Sequence, residues 1–203
     1  MEIAGLVLAA GAGRRFGMPK ALVPWRGRPL VVRAAATSRA AGLARTVVVV
    51  GAAAGRVRAA APDLDYVENP AWQTGMASSL RAGLAALAGT PAAAVVVLLA
   101  DMPGVTPAAV RRVTALASPT ALVTGGYAGR RGHPVLLGRD HWEGVAGSAT
   151  GDRGARDYLR THAGEVRVVP VGDVADDLDL DVPGDMRALD LPGDVPEAVT
   201  GHA

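Results

Sequence analysis

Short apolar runs recur along the chain, each bounded by Gly, Pro or charged residues: Ile3 to Ala9, Thr46 to Val50, Ala94 to Leu99, Thr120 to Val123 and Val166 to Val169. Within them the apolar positions are continuous and do not alternate with polar ones, as expected of strands buried on both faces of a mostly parallel sheet. Between the runs, apolar positions return at helical spacing over Leu30 to Ala41, Ser78 to Leu87, Pro107 to Leu116, Gly154 to His162 and Pro183 to Leu189. Thr106 followed by Pro107 predicts a capped helix start with proline at the first helical position. The alternation of strand and helix predicts an α/β fold. Sheets of this class bind ligands at the carboxyl ends of their strands, so Gly11 to Lys20 and Asp101 are expected to line one crevice.

A length of 203 residues fits one domain with a core large enough to fold unaided. The expected domain covers residues 1–190. Leu191 to Ala203, with Pro192, Pro196 and little periodicity, reads as a frayed tail. Because half the residues are apolar but only 3% are aromatic, the core must be built from small and branched aliphatic side chains. The absence of cysteine removes disulfides, thiolate metal ligands and a cysteine nucleophile together, and fits a reducing, cytoplasmic location. The first apolar run lacks a preceding basic region and breaks at Gly11, unlike a signal peptide, and no apolar stretch has the length to span a membrane.

Charge is unevenly placed although the formal net value is only +2. From Ile3 to Pro62 there is no Asp or Glu, whereas Arg14, Arg15, Lys20 and seven further arginines fall there. That third of the chain is built to meet an anion, although composition alone also fits a solvated basic surface with weak nucleic-acid attraction. Residues 173–197 form an acidic pole that could attract metal ions. Lys20, Asn69 and Gln73 are the only Lys, Asn and Gln in the chain. An arginine-rich chain that keeps one lysine points to a position where a compact ammonium serves and a planar guanidinium does not.

The first strand runs directly into Leu8-Ala9-Ala10-Gly11-Ala12-Gly13-Arg14-Arg15-Phe16-Gly17-Met18-Pro19-Lys20. A dinucleotide fingerprint would need a third glycine where Phe16 stands, and no acidic residue follows until Asp63 to take a ribose hydroxyl. A P-loop would need Gly, four residues and then Gly-Lys, and no such run exists. What remains is a turn of small residues whose amides can approach a phosphate chain closely, with Arg14, Arg15 and Lys20 within reach.

This block resembles the signature of the MobA-like NTP transferases, and five further segments follow in the family's order. Asn69-Pro70-Ala71-Trp72-Gln73-Thr74-Gly75-Met76-Ala77-Ser78-Ser79-Leu80 is similar to its nucleotide-side segment, and Leu98-Leu99-Ala100-Asp101-Met102-Pro103 to its metal-binding strand end. Gly132-His133-Pro134 and Gly151 to Arg156 resemble its acceptor-side loops, and Asp179 to Asp185 its C-terminal acidic motif. The resemblance implies a single-domain, Rossmann-like nucleotide-diphospho-sugar transferase fold of the GT-A type. Ala10-Gly11 and Gly75-Met76-Ala77-Ser78-Ser79 favour the cytidylyl branch, the molybdenum cofactor cytidylyltransferases, over the guanylyl one.

The resemblance further implies transfer of CMP from CTP to the phosphate of a molybdopterin-type cofactor, for delivery to a molybdenum hydroxylase or its chaperone. Neither nucleic acid nor a membrane is expected as partner. Nucleotide binding falls to Leu8, Ala9, Ala10, Gly11, Gly13, Lys20, Asn69, Gly75, Ser78 and Ser79, with Lys20 and Arg14 carrying the catalytic charge. Both reactants are anions, so a hard divalent cation is expected, Mg²⁺ with Mn²⁺ as the alternative. Asp101 and Asp181 are its ligands and Asp179 the nearest substitute. Acceptor binding falls to His133, Asp152 and Arg156, with His133 shaping the pocket more than donating a proton. His141, His162 and His202 lack metal-ligand spacing and read as surface residues, while Trp72 and Trp142 read as core anchors or stacking platforms. GTP or UTP as donor, a sugar or alcohol phosphate as acceptor, and a non-catalytic nucleotide-binding role remain as alternatives.

Overall fold

The computed structural model describes residues 1–182, 184 and 185. Apart from Gly184 and Asp185, the helix expected over Pro183 to Leu189 lies outside the described residues, as does the tail from Leu191 to Ala203, so only the body of the expected domain is seen. Its elements run β1 (Ile3–Ala9), β2 (Pro24–Trp25), β3 (Arg28–Pro29), α1 (Leu30–Ala40), β4 (Arg45–Val50), α2 (Ala54–Ala60) and β5 (Asp65–Glu68). There follow α3 (Met76–Leu87), β6 (Ala94–Leu99), α4 (Pro107–Thr114), β7 (Leu122–Tyr127), β8 (Arg130–Gly138), α5 (Trp142–Ser148), α6 (Arg156–Thr161) and β9 (Val166–Pro170). Among the described residues seven strands form one sheet in the order β5-β4-β1-β6-β8-β7-β9, and β2 and β3 pair separately. Within that sheet β8 alone runs against the others, being antiparallel to both β6 and β7.

The continuous apolar runs are continuous because each strand feeds two cores. In β1, Val7 and Ala9 face one cluster with Val31, Val48, Val96 and Val110, whereas Ala4, Leu6 and Leu8 face another with Val49, Leu80, Leu84 and Trp142. The helices α1 and α4 cover the first face, and α3, α5 and α6 the second. The expected cap of α4 is present: Thr106 Oγ1 accepts from the Ala109 amide and donates to the Val174 carbonyl at 2.7 Å, tying the helix start to the segment after β9. Trp142 is a buried anchor whose indole N–H donates to the Leu137 carbonyl.

Several expectations are corrected. The strand placed at Thr120 to Val123 begins at Leu122 and continues to Tyr127 through the diglycine Gly125-Gly126. The last strand, Val166–Pro170, is a sheet edge, with Arg167 and Val168 exposed, instead of a strand buried on both faces. Gly132-His133-Pro134 is no loop but part of β8, which returns from β7 through a two-residue turn at Ala128 and Gly129, both at positive φ. His141 is 9% exposed, its Nδ1 2.9 Å from the Tyr158 hydroxyl and its Nε2 3.0 Å from the Thr120 carbonyl. His162 stacks on Tyr158 with ring centroids 4.0 Å apart. These two imidazoles are fixed by packing and hydrogen bonds, and neither is a free surface group.

Candidate active site

The carboxyl ends of β1 and β6 lie side by side, Leu8 in register with Leu99, so the chain leaves both strands into one crevice. From β1 it enters the small-residue turn. Gly13 sits at φ +61°, and a Cβ there would collide with the Met18 carbonyl, so only glycine lets the loop close. The Phe16 and Gly17 amides both donate to the Gly13 carbonyl at 3.0 Å, and the chain then returns inward to Lys20.

Lys20 Nζ donates to Asp101 Oδ2 at 2.9 Å and to Asp181 Oδ1 at 2.6 Å, and Arg15 lies 3.4 Å from the other Asp181 oxygen. Burial works against the charge on Lys20, but its hydrogen bonds and charge interactions with Asp181 and Asp101 outweigh it and raise its pKa. The same hydrogen bond from Lys20 holds the Asp181 carboxyl below its ordinary value, against desolvation. Residues 81 and 161 positions from Lys20 in sequence are thus joined at one ammonium.

The fold holds this pair together from behind. The Leu180 amide donates to the Asp101 carbonyl at 2.9 Å, and its side chain, 0% exposed, packs in a small cluster with Val23, Trp25 and Leu30, against Phe16 and Met18 of the loop. Asp185 Oδ2 accepts from the Asp181 and Val182 amides at 2.7 and 2.8 Å. Sequence reasoning missed Leu180; its signal is the alternation of Leu178, Leu180 and Val182 with aspartates in an acidic run.

Two cavities open on this centre. The smaller, about 370 Å³, is lined by Leu8 to Arg14, Lys20, Gly75, Met76, Ser79 and Asp101, with Trp72 and Gln73 added to the expected set. Asn69 and Ser78 do not line it. Asn69, 3% exposed, donates to Ser78 Oγ at 2.7 Å and Ser79 Oγ at 3.0 Å and accepts from the Ala71 amide, so it shapes the turn before α3. Gly75 occupies φ +105° against Gly151 and Asp152, where a side chain would clash. Asp152 Oδ1 accepts from the Met76 amide at 3.2 Å, capping the start of α3.

The larger cavity, about 560 Å³, adjoins the first and shares Leu8, Met76, Leu99 and Asp152 with it. It receives His133, Asp152 and Arg156, the three expected acceptor-side residues, together with Asp179. His133 Nδ1 lies 3.2 Å from the Val97 carbonyl, and desolvation pushes the His133 pKa down. Thr124 and Arg131 also line this cavity and were not anticipated. Asp181 lines neither cavity and reaches the site only through Lys20 and Arg15.

The donor chemistry fits a hard divalent cation, since two carboxylates converge on one cationic nitrogen beside an amide-rich turn. No cluster of three or more His, Cys, Asp or Glu able to hold a metal occurs among the described residues. The remaining ligands of such an ion would therefore come from phosphate and water.

A mostly parallel sheet with one reversed strand and a glycine-rich turn at its carboxyl edge defines an α/β protein with a crevice at its strand ends. The sequence profile of the MobA-like NTP transferase domain matches residues 5–166, and the chain belongs to that family, which places it among the nucleotidyltransferases. It is 36% identical over 197 aligned positions to nicotine blue oxidoreductase of Paenarthrobacter nicotinovorans, covering 92% of this chain and 96% of that protein. The crystal structure of Rv0371c from Mycobacterium tuberculosis H37Rv superposes with a TM-score of 0.78 at 35% identity, covering 93% of this chain and 97% of that one. A structure of Rv0371c in complex with manganese matches with a TM-score of 0.75 at 33% identity, covering 93% and 98%. Among the described residues no helix is long and apolar enough to cross a membrane.

Proposed function

We propose that the chain transfers CMP from CTP to the phosphate of a molybdopterin-type cofactor and releases pyrophosphate. The observation that supports this most is the placement of Lys20, Asp101 and the amide-rich turn where the smaller cavity meets the larger, more apolar one. The triphosphate is bound along residues 10–13, with Arg14 and Lys20 offsetting its charge as fixed electrostatics. The acceptor phosphate, entering from the larger cavity, attacks the α-phosphorus in line; the new P–O bond forms as the bond to pyrophosphate breaks. That phosphate is already ionised, so no protein base is required. Asp101 and Asp181 would hold Mg²⁺ or Mn²⁺, whose charge would offset that of the reacting phosphates. Lys20 must then release the carboxylates and turn to the nucleotide. The apolar walls of the acceptor cavity exclude water that would otherwise compete as nucleophile.

The test is pyrophosphate release with Mg²⁺ or Mn²⁺ and each of CTP, GTP, UTP and ATP, with and without molybdopterin cofactor. Release with CTP that requires the cofactor is the expected outcome; release independent of it, or with another base alone, overturns the acceptor or the base. A second reading, reduction of a heteroaromatic compound by a dinucleotide, is favoured by one observation, the full-length similarity to a relative named as an oxidoreductase. The glycine spacing of the first loop opposes it. Oxidation of NADH or NADPH by an aromatic acceptor in the absence of CTP would support this reading over the first.

A further inference from the structure

The carboxylates that would hold a divalent cation already have a partner. Lys20 Nζ stands 2.9 Å from Asp101 Oδ2 and 2.6 Å from Asp181 Oδ1, and the other Asp181 oxygen faces Arg15 at 3.4 Å. Two carboxylates thus meet two cations, and the centre is neutral as the fold builds it. A divalent cation needs the same oxygens that the ammonium holds, and beside Lys20 and Arg15 it would leave the centre with a surplus of positive charge.

Position adds to charge. Lys20 and Asp101 line the smaller cavity whereas Asp181 lines neither, so from the cavity the ammonium stands in front of Asp181. The main chain of both aspartates is held: the Leu180 amide donates to the Asp101 carbonyl, the Leu180 side chain is buried, and Asp185 accepts from the Asp181 amide. The base of the lysine is held too, its carbonyl accepting from the Val23 amide at 3.0 Å with Ala21 buried behind it. The movable part is the flexible stem of Lys20, which carries three donors that turn freely. Residues 10–13 and Arg14 line the same cavity, so a polyanion laid along that turn offers the ammonium a second set of acceptors.

We infer that Lys20 couples the two ligands of this centre: it keeps a divalent cation off Asp101 and Asp181 until a triphosphate laid along residues 10–13 draws the ammonium away. A cation on its own meets a neutral centre, and a triphosphate on its own meets a lysine already engaged. When both arrive, the ammonium passes to phosphate oxygens and the carboxylates are left to the metal. Each ligand therefore raises the affinity for the other, by the same factor in both directions. The inference rests on the reading of the smaller cavity as the triphosphate site and of Asp101 and Asp181 as metal ligands, and it is independent of the base and of the acceptor.

Calorimetry on the full chain tests this with Mn²⁺ alone and, in the presence of EDTA, with inorganic tripolyphosphate or CTP alone. Thermal melting and binding of 6-carboxypterin, a fragment of the proposed acceptor, check that each variant is folded. Lys20→Met is expected to bind Mn²⁺ about ten-fold or more tightly than the parent, within the range usual for coupled sites. Arg14→Met removes the same charge from the same cavity, but Arg14 pairs with neither aspartate among the described residues, so Mn²⁺ affinity should change by no more than about two-fold. Asp181→Asn, which frees the ammonium, is expected to bind tripolyphosphate without metal about ten-fold more tightly. Asp152→Asn removes a carboxylate from the same cavity without touching Lys20 and should stay within about two-fold of the parent. Should Lys20→Met fail to fold, the comparison of Asp181→Asn with Asp152→Asn decides alone. Equal Mn²⁺ affinity of the parent and Lys20→Met, an equal gain in Arg14→Met, or unchanged tripolyphosphate affinity in Asp181→Asn each overturns the inference. CTP binding in any of those cases leaves the transferase reading standing, whereas the expected shifts with tripolyphosphate and no binding of CTP uphold the coupling and remove CTP as the donor.

Discussion

The two cavities share a wall but differ in how the chain builds them. The smaller cavity, proposed to hold the nucleotide, takes its largest single share of lining from one stretch, Leu8 to Arg14 with Lys20, and presents main-chain amides with the Arg14 and Lys20 cations. The acceptor-side cavity is collected from β6, β7, β8, α3, α6 and the segment after β9, and its surface is mainly aliphatic. Charge neutralisation is thus encoded locally, whereas shape is encoded by tertiary packing. Substitutions on one side should leave the other intact unless they touch the shared wall of Leu8, Met76, Leu99 and Asp152; the Lys20, Asp101 and Asp181 group belongs to the nucleotide side.

The largest effect is expected there. Lys20→Met removes the cation that faces the nucleotide and leaves two carboxylates opposed without it. Pyrophosphate release should fall by about 10²–10³-fold, as for removal of one preorganised charge or donor at a reacting centre. Binding of 6-carboxypterin should stay within about two-fold, the affinity equivalent of a few tenths of a kcal/mol. Lys20→Arg should not restore activity, because a planar fork cannot take the place of a compact ammonium held by two carboxylates. A Lys20→Arg variant with near-normal turnover would defeat this division of labour.

Leu180→Ala tests that group from its apolar side. The side chain is fully buried in a small cluster, so its loss should destabilise the fold by about 2–3 kcal/mol, toward the low end for buried leucines. Because Leu180 also pairs its amide with the Asp101 carbonyl, the loss should loosen Asp181 and the loop together. Chemical denaturation gives the first quantity. The dependence of pyrophosphate release on Mn²⁺ concentration gives the second, and a variant less stable but with an unchanged metal requirement would show that Leu180 supports the fold alone.

Gly13→Ala sharpens the comparison further. The positive φ and the nearby Met18 carbonyl make any side chain costly, by about 1–3 kcal/mol. The strain falls within the loop, so CTP affinity should drop while pterin affinity holds, measured by the same calorimetry. A parallel loss of both would mean that the two cavities do not form independently.

The same contrast accounts for what could be read from the chain beforehand. The strands β1, β4 and β6 were legible because both faces of each are buried and every position is therefore apolar. The strands β5 and β8 were not. Asp65-Tyr66-Val67-Glu68 is a half-exposed edge, and Arg130 to Pro134 opens β8 with charges, glycine and proline that read as loop. The contiguous small-residue turn announced itself by sequence, and Asp101 and Asp181 by a family resemblance; the fold brings both carboxylates to Lys20. Thr124 gave no signal, since a lone threonine in an apolar strand looks like ordinary β-propensity until its hydroxyl is found unpaired. His141 was misread because its partners, Tyr158 and the Thr120 carbonyl, are 17 and 21 positions away.

The smallest effect concerns pH and separates the cavities by the sign of their charge. Asp181, held low chiefly by Lys20, contributes stability that is present above its unfolded value near 3.8 and lost as pH falls through its lower folded value. Lys20, held high, contributes stability that is present below 10.5 and lost as pH rises through its folded value. The nucleotide side is therefore insensitive between those limits. His133 behaves oppositely: its folded pKa lies below 6.5, so the unfolded chain takes up the proton first and stability declines as pH falls below 6.5. Denaturant titrations from pH 7 downward should show that decline in the parent chain, and His133→Gln should flatten it while leaving the loss at more acid pH that belongs to Asp181. If the slope below pH 6.5 survives in His133→Gln, the imidazole in the acceptor cavity is not held neutral, and its Nε2 cannot serve there as a hydrogen-bond acceptor.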